Sequence, residues 1–293
     1  MDRDIDQFER QDEHGRSDFR AAGREQDSRG HREVSALNRE RQAVESRGRT
    51  YRISEVETET LHEIGQFRTV ATDDLARHRY GGNAGQMKQD LYSLARQGLV
   101  QRRSVYDGKM RLAVVVLTRA GKDWLDQKDR DQSKEASEKQ RVYAGFVKPA
   151  EVFHDAAIYR MFHAEAGAIE KEGGKVRRVV LDYELKQKVY SPLAKNRGLG
   201  PLEYTRRQRE VASANGLQVI NGHIPLPDLR IEYETREGEM TKVDLELATH
   251  HYHGSHLEPK AEAGFKMYAA DGSASRLTAS LKEREITASI LSL

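Results

Sequence analysis

The sequence of 293 residues contains no cysteine, which excludes disulfides, cysteine-based zinc sites and thiol nucleophiles. It also lacks a continuous apolar run long enough for a membrane span and a charged-then-apolar leader, so we expect neither a transmembrane helix nor a secretory signal. A glycine-rich phosphate loop followed by lysine and a serine-triad signature are both missing. These absences predict a cytoplasmic protein without nucleotide-hydrolysing machinery.

Apolar residues are scarce, at 37%, while 33% of the residues are charged and the mean hydropathy is −0.81. The apolar material must therefore be concentrated in parts of the chain, and the length allows two modest domains or one large one. Residues 1–50 contain few apolar side chains and no lysine, with acidic residues and arginines in similar numbers. Such a segment cannot bury enough surface to offset its chain entropy, so we predict a disordered charged N-terminus there.

Residues 51–127 show the pattern of a winged helix-turn-helix DNA-binding domain. Three helices are predicted, the first with apolar residues at helical spacing, the second capped by Thr72 and the third running from Asn83 to Gly98. A strand from Leu99, a turn at 106–109 and a returning strand over 112–117 form a hairpin, and Thr118 caps a further helix. This order of elements resembles a winged helix.

The charge distribution agrees with a DNA-binding role for this unit, because residues 77–119 carry nine Lys or Arg against two acidic residues. Amide and guanidinium groups on the third helix can pair with purine edges, and basic side chains on the wing can contact phosphates. The alternative is an ordinary solvated face of a protein–protein module. The predicted DNA-binding residues are Gln86, Lys88, Gln89, Ser93 and Arg96 on the helix, and Arg102, Arg103, Lys109 and Arg111 on the wing.

A charged linker is predicted over 128–148, and a second α/β domain over 149–293. Its expected order is a helix after Pro149, a strand alternating from Val176 to Lys186, an inserted basic helix over 201–214, two strands, a helix with Phe265 and Tyr268, and a final strand within 286–293. Asp228 begins one of the strands, and Asp244 and Glu246 share a face of the next. Carboxylates that converge in this way can bind Mg²⁺ or Mn²⁺ and activate water for phosphodiester attack.

Pro227-Asp228 followed by Asp244-Leu245-Glu246 resembles the PD-(D/E)XK nuclease family, and the order of elements matches that family's core, a restriction-endonuclease-type fold. The family places a lysine two residues after the second acid, but Glu246 or Ala248 stands at that position. Lys186, Lys260 or Lys266 could supply the cation from another element. The resemblance therefore implies metal ligation by Asp228 and Glu246, and it leaves open whether the site cleaves DNA.

A closer resemblance covers residues 51–270. The winged helix, Glu-Leu-Lys at 184–186, Pro-Asp-Leu at 227–229, the strand segment 243–249 and Lys266-Met267-Tyr268 are similar in order to the replication-relaxation family. Proteins of that family, encoded on plasmids and other mobile elements, combine a winged helix with a nuclease-like domain. The resemblance implies a role in replication or maintenance of such an element. The catalytic candidates are Glu184, Lys186, Asp228, Asp244, Glu246 and Lys266.

Two further clusters bear on function. Four histidines within His250–His256 could ligate a transition metal, and their His-Tyr-His core resembles an element of single-strand nickases; alternatively they form a polar loop beside the acidic site. Arg206, Arg207 and Arg209 on the inserted helix, with Lys195 and Arg197 before it, could cradle DNA or be a solvated face.

Three functions remain open from the sequence. The first is a duplex-DNA-binding protein of a mobile element with a nuclease-like domain that does not cleave. The second is an active Mg²⁺- or Mn²⁺-dependent DNA endonuclease. The third is a transcriptional regulator whose C-terminal domain mediates oligomerisation, for which a homodimer is the simplest arrangement.

Overall fold

The computed structural model is a mixed α/β structure and describes residues 39–108, 110–132, 139–196, 198, 200–248, 254–269 and 290–293. Its N-terminal part contains helices α1 (Glu55–Gln66), α2 (Thr72–His78), α3 (Ala84–Arg96) and α4 (Arg119–Gln132). Strands β3 (Val70–Ala71), β4 (Val100–Asp107) and β5 (Met110–Leu117) form a sheet in the order β3-β5-β4. Three helices and a β4–β5 wing in this order are compatible with a winged-helix domain.

Local chemistry explains the ends of these helices. Ser54 and Glu57 form a reciprocal capping box at the start of α1, and the Asn83 side chain accepts a hydrogen bond from the Gln86 amide at the start of α3. Gly98, with φ of 75°, adopts the left-handed conformation that ends α3. The expected cap at Thr72 is wrong by one residue, because α2 begins at Thr72 itself and Ala71 occupies the cap position without a side-chain hydrogen bond.

An antiparallel hairpin precedes α1, formed by β1 (Gln42–Ser46) and β2 (Arg49–Ile53). The prediction of disorder through residue 50 is therefore wrong for its last part, whereas residues 1–38 lie outside the described residues. Tertiary contacts hold the hairpin in place: Ser46 donates to Gln127 at 2.6 Å, and Arg41, just before β1, donates to Glu57 at 2.9 Å. Most side chains of the hairpin are exposed, so the sequence alone showed no apolar pattern there.

The C-terminal part builds a five-stranded sheet in the order β10-β9-β8-β7-β6. Strands β6, β7 and β8 pair antiparallel, whereas β9 pairs parallel with both β8 and β10. None of the helices in the described ranges is both long and apolar enough to cross a membrane. The elements are α5 (Pro149–Lys171), β6 (Lys175–Leu181), α6 (Asp182–Lys195), α7 (Pro201–Ala214), β7 (Leu229–Glu234), β8 (Met240–Ala248), α8 (Gly254–Glu262), β9 (Lys266–Ala269) and β10 (Ile290–Ser292).

Two predicted elements of this part need correction. The strand expected over 176–186 ends at Leu181, and Asp182 begins α6, so Glu184 and Lys186 lie on a helix. The helix expected to hold Phe265 and Tyr268 ends at Glu262, and Tyr268 lies in β9. Both errors arise where an apolar residue recurs at a spacing that fits a strand and a helix equally well over a few residues.

A single cluster of buried apolar residues runs through both parts of the molecule. Phe67 at the end of α1 packs edge-on against Tyr159 of α5, with ring centroids 5.1 Å apart, and the imidazoles of His78 and His163 stack at 4.2 Å. The predicted linker over 128–148 is also wrong in character. Its first residues continue α4, and the Tyr143 amide donates to the Gly65 carbonyl at 2.8 Å, so the segment after residue 138 packs against the winged-helix part.

Replacing Gly121 by alanine should destabilise the protein by about 1–3 kcal/mol or more, because the close packing of α4 leaves no room for a side chain. A Cβ at Gly121 would lie 2.1 Å from the carbonyl oxygen of Leu99. Urea unfolding of the variant measures the loss. Gly167→Ala in α5 is the matched control: no atom lies within 4 Å of the added Cβ, so it should stabilise by up to about 1 kcal/mol through helix propensity. Equal stability of the two variants would contradict the packing described here.

Candidate functional site

Helix α3 has two faces of opposite character. Met87, Leu91 and Leu94 are buried at helical spacing against the core, which fixes the helix by its apolar side. The opposite side carries Lys88, Gln89 and Arg96, all exposed. A helix held in this way presents a fixed row of polar and basic groups to solvent.

The other helix candidates are partly engaged within the protein. The Gln86 amide donates to Asp90 at 2.8 Å, which limits its freedom to contact a base. Ser93 is half-buried, and its hydroxyl lies 3.4 Å from the amide nitrogen of Gln97. Burial raises the pKa of Asp90, and the hydrogen bond from Gln86 opposes that rise. Among the predicted base-reading residues, Gln89 is therefore the better placed of the two glutamines.

The wing carries basic residues along exposed backbone. Arg102 and Arg103 are exposed on β4, and the Arg103 guanidinium lies 4.0 Å from the ring centroid of Phe146. Arg111 on β5 donates from Nε to the Ser104 hydroxyl at 3.3 Å. Lys109 lies outside the described residues. Cations spread along a two-stranded wing can contact successive phosphates of a nucleic-acid backbone.

The β1–β2 hairpin adds a surface that the sequence did not predict. Gln97 at the end of α3 pairs with the backbone of Arg52, accepting from its amide at 2.7 Å and donating to its carbonyl at 2.9 Å. A groove of about 560 Å³ lies between the hairpin and α3. It is lined by Arg41, Arg52, Gln89, Tyr92, Ser93, Arg96 and Gln97. Three of the predicted DNA-binding residues therefore share one basic groove with two arginines of the hairpin region.

A second cluster lies where β7 begins. Asp228 accepts a hydrogen bond from the Leu247 amide at 2.9 Å, and the same oxygen lies 3.4 Å from Nε2 of His154 on α5. Nδ1 of His154 is 3.4 Å from Asp155. Burial alone would lower the pKa of His154, but the hydrogen bonds to Asp155 and Asp228 outweigh it and raise the pKa to about 10. His154 is therefore a cation at neutral pH.

Glu246 lies beside Asp228 in the sheet, because the register pairs Leu229 with Leu245. Glu246 is fully buried and accepts a hydrogen bond from Lys260 of α8. Burial would raise the pKa of Asp228, but the hydrogen bond and charge of His154 and the charge of Lys260 lower it. Each of the two carboxylates is thus balanced by a protein cation.

The arrangement does not fit the Mg²⁺ or Mn²⁺ ion that the sequence led us to expect. A divalent ion needs several oxygens that face one open point. The Asp228 oxygen named above is instead committed to the Leu247 amide and His154, and Glu246 is held by Lys260. Within the described ranges, no group of three acidic or histidine side chains is arranged to hold a metal ion.

The other catalytic candidates lie in separate ion pairs. Lys186 pairs with Asp182, whose amide donates to the Asp228 carbonyl at 3.2 Å, so this pair adjoins the Asp228 cluster. The remaining three lie apart from Asp228: Glu184 contacts Arg178 and Lys188, Asp244 contacts Arg230, and Lys266 contacts Glu165 at 2.7 Å. The structure therefore brings Asp228, Glu246 and Lys186 into one region.

His154 is the functional candidate that the sequence reasoning missed. It lies in the apolar stretch of α5, where a His-Asp pair is the only local signal. The histidine cluster is only partly visible: residues 250–253 lie outside the described residues, and only the backbone of 254–256 is described, as the start of α8.

Comparisons with known proteins give little. No family model matches the chain, and no curated protein matches it. Among solved structures, the chain is similar to the crystal structure of Bacillus subtilis PadR in complex with operator DNA. The match has 14% identity and a TM-score of 0.21, and it covers 55% of this chain and 94% of that chain. Such a score is too low to bear on function.

Proposed function

We propose that this chain binds duplex DNA through α3 and the β4–β5 wing. The observation that carries the proposal is the character of α3, whose inner face is buried and whose outer face presents Lys88, Gln89 and Arg96. A helix packed by its apolar side and followed by a basic hairpin is the arrangement with which winged helices enter a major groove. The neighbouring arginines of the β1–β2 hairpin region extend the same basic surface.

The residue types suggest a division of roles. The Gln89 amide can make paired hydrogen bonds to adenine, and the Arg96 guanidinium can do so to guanine. Arg102 and Arg111 on the wing, and Arg52 on the hairpin, are suited to phosphate oxygens, which fix position without reading sequence. The α3 residues should therefore control specificity, and the wing and hairpin should control salt-dependent affinity.

For the C-terminal part we propose a nuclease-like unit that does not cleave DNA. Its helix, three antiparallel strands, crossover through α8 and parallel strand β9 support the resemblance to the PD-(D/E)XK core. The pairing of Asp228 with His154 and of Glu246 with Lys260 supports the absence of cleavage, because the charges that would attract a divalent ion are already balanced. A role in replication or maintenance of a mobile element is proposed from the family resemblance alone.

Arg96→Ala should weaken binding to the preferred duplex by about 1–3 kcal/mol, or roughly 5- to 150-fold, because a base contact is lost. Arg102→Ala should weaken binding to all duplexes about equally and lower the slope of log affinity against log salt by about one. Fluorescence anisotropy with duplexes selected from a random pool measures both effects.

Arg236→Ala is the control for these variants, since it removes one exposed charge from the turn between β7 and β8. It should bind like the unmodified chain. If Arg96→Ala and Arg102→Ala also bind like the unmodified chain while the protein still shifts DNA, the interface lies elsewhere and the proposal is wrong.

Supercoiled plasmid incubated with the protein in Mg²⁺, Mn²⁺ or EDTA tests the second part of the proposal. We expect a retarded but intact plasmid in every lane. Nicked or linear product that requires metal and disappears in Glu246→Ala would instead establish the endonuclease. Plasmid that is neither shifted nor cut would contradict the DNA-binding proposal itself.

A further inference from the structure

A second basic groove lies on the far part of the molecule from α3 in sequence, beside the edge strand β6. Its volume is about 890 Å³, and it runs between the segment that enters α5 and the helices α6 and α7. Gln140 covers the strand edge by pairing with the backbone of Val179, accepting from its amide at 2.8 Å and donating to its carbonyl at 2.9 Å. The edge of β6 is therefore closed at that point, and the surface beside it is formed by side chains.

The described lining of this groove is strongly one-signed. Six cations and one carboxylate face it, the cations being Lys139, Arg141, Arg178, Lys188, Lys195 and Arg207. The carboxylate, Glu184, is buried with a side-chain exposure of 2% and contacts Arg178 and Lys188. Glu184 thus neutralises the floor of the groove, and the charges at its rim repel one another until an anion enters.

The neutral lining residues point to phosphate as the anion. Gln187, Ser191 and Asn196 supply uncharged donors beside the arginines and lysines, which is the mixture that contacts phosphate oxygens in protein–DNA interfaces. None of the described lining residues is aromatic. Proteins that bind single strands add aromatic platforms on which bases stack, so this groove suits a duplex, whose bases are already stacked.

We propose that this groove is a second, sequence-independent binding site for the phosphodiester backbone of duplex DNA. The proposal rests on the proposed function, because it extends the DNA contact from the winged helix to the five-stranded sheet. Bound at both surfaces, the same duplex would be held over a longer stretch than the winged helix alone can cover. The site is built from α6, α7 and the segment around Arg141, none of which belongs to the winged helix.

The test uses the full chain carrying Lys139→Gln, Lys195→Gln and Arg207→Gln together. These residues line the groove, and none of them contacts Glu184 among the ion pairs described above. Anisotropy with a random 40-base-pair duplex should show roughly tenfold weaker binding and a salt slope lower by about two to three, because three phosphate contacts are lost. Thermal unfolding should be unchanged.

A second triple variant, Lys171→Gln, Lys175→Gln and Arg236→Gln, is the matched control, since it removes the same charge from exposed positions outside the groove. Equal weakening by both triple variants would show a net-charge effect and overturn the groove. Weakening by Arg96→Ala and Arg102→Ala without weakening by the groove variant would overturn the groove and leave the winged-helix interface in place. Failure of the unmodified chain to bind any duplex would overturn both. Tighter binding of a 40-nucleotide single strand, lost in the groove variant, would overturn the assignment to duplex DNA.

Discussion

Arg230→Ala should destabilise the protein by about 3–5 kcal/mol, the largest single effect expected outside the hydrophobic core. Arg230 donates to both oxygens of Asp244, at 2.6 and 2.9 Å, and to the Asn215 carbonyl at 2.7 Å. The two side chains are only 6% and 11% exposed. Removing the guanidinium would leave a carboxylate buried in the middle of the sheet without its partner, and urea unfolding at constant m-value measures the loss.

The double variant Arg230→Met and Asp244→Leu separates the pair from the burial of one charge. Replacing both partners by apolar groups of similar size removes the buried charges together, so more than half of the lost stability should return. A loss below about 1 kcal/mol in Arg230→Ala would instead indicate that the pair is solvated as a surface ion pair is. Either result also bears on function, because it decides whether Asp244 has a structural role and is unavailable for chemistry.

The stability of the protein should fall as the pH rises from about 7 to 10, and His154 should account for much of the fall. The folded state raises the pKa of His154 from 6.5 to about 10, through Asp155 and Asp228. Its contribution is therefore complete below pH 6.5 and is lost as the pH passes through 10, because the folded state binds the proton more tightly than the unfolded chain. The loss should be on the order of 2–4 kcal/mol.

Unfolding free energies of the unmodified chain and of His154→Gln, measured at intervals between pH 6 and pH 10, test this expectation. Subtracting the two profiles removes the titration of other groups, and the difference should shrink steadily with rising pH. Asp228→Asn is the second variant, and it should reduce the pH dependence because it removes one of the two carboxylates beside His154. A difference that does not vary with pH would mean that His154 is neutral in the folded protein.

The sequence by itself determined much of the winged-helix part. Apolar residues at helical spacing, the Asn83 cap and the glycine after α3 are local signals, and the structure has α3 over Ala84–Arg96 and the wing hairpin at the predicted turn. The inserted helix over Pro201–Ala214 and the apolar faces of β7 and β8 are equally local. In each case the residues that set the element lie within a few positions of one another.

The end of β6 was decided by tertiary structure. Alternation from Val176 continues through Leu185, but the ladder with β7 stops where Leu181 meets Leu229. Beyond that point Leu185, Val189 and Leu193 are buried at intervals of four, which is the stripe of a helix. Both periodicities are present in the same letters, and only the length of the partner strand selects between them.

The ion pairs of the candidate site were also beyond the sequence. His154 reaches Asp228 from another element, and Lys260 reaches Glu246 across the turn from β8 to α8. The same holds for the β1–β2 hairpin, which depends on contacts with Gln97 and Gln127 far along the chain. The sequence thus determined which segments form helices and strands, because backbone preference and apolar spacing act locally. Only the tertiary structure decided which charges neutralise one another, because strand register and helix packing set the distances between residues remote in sequence.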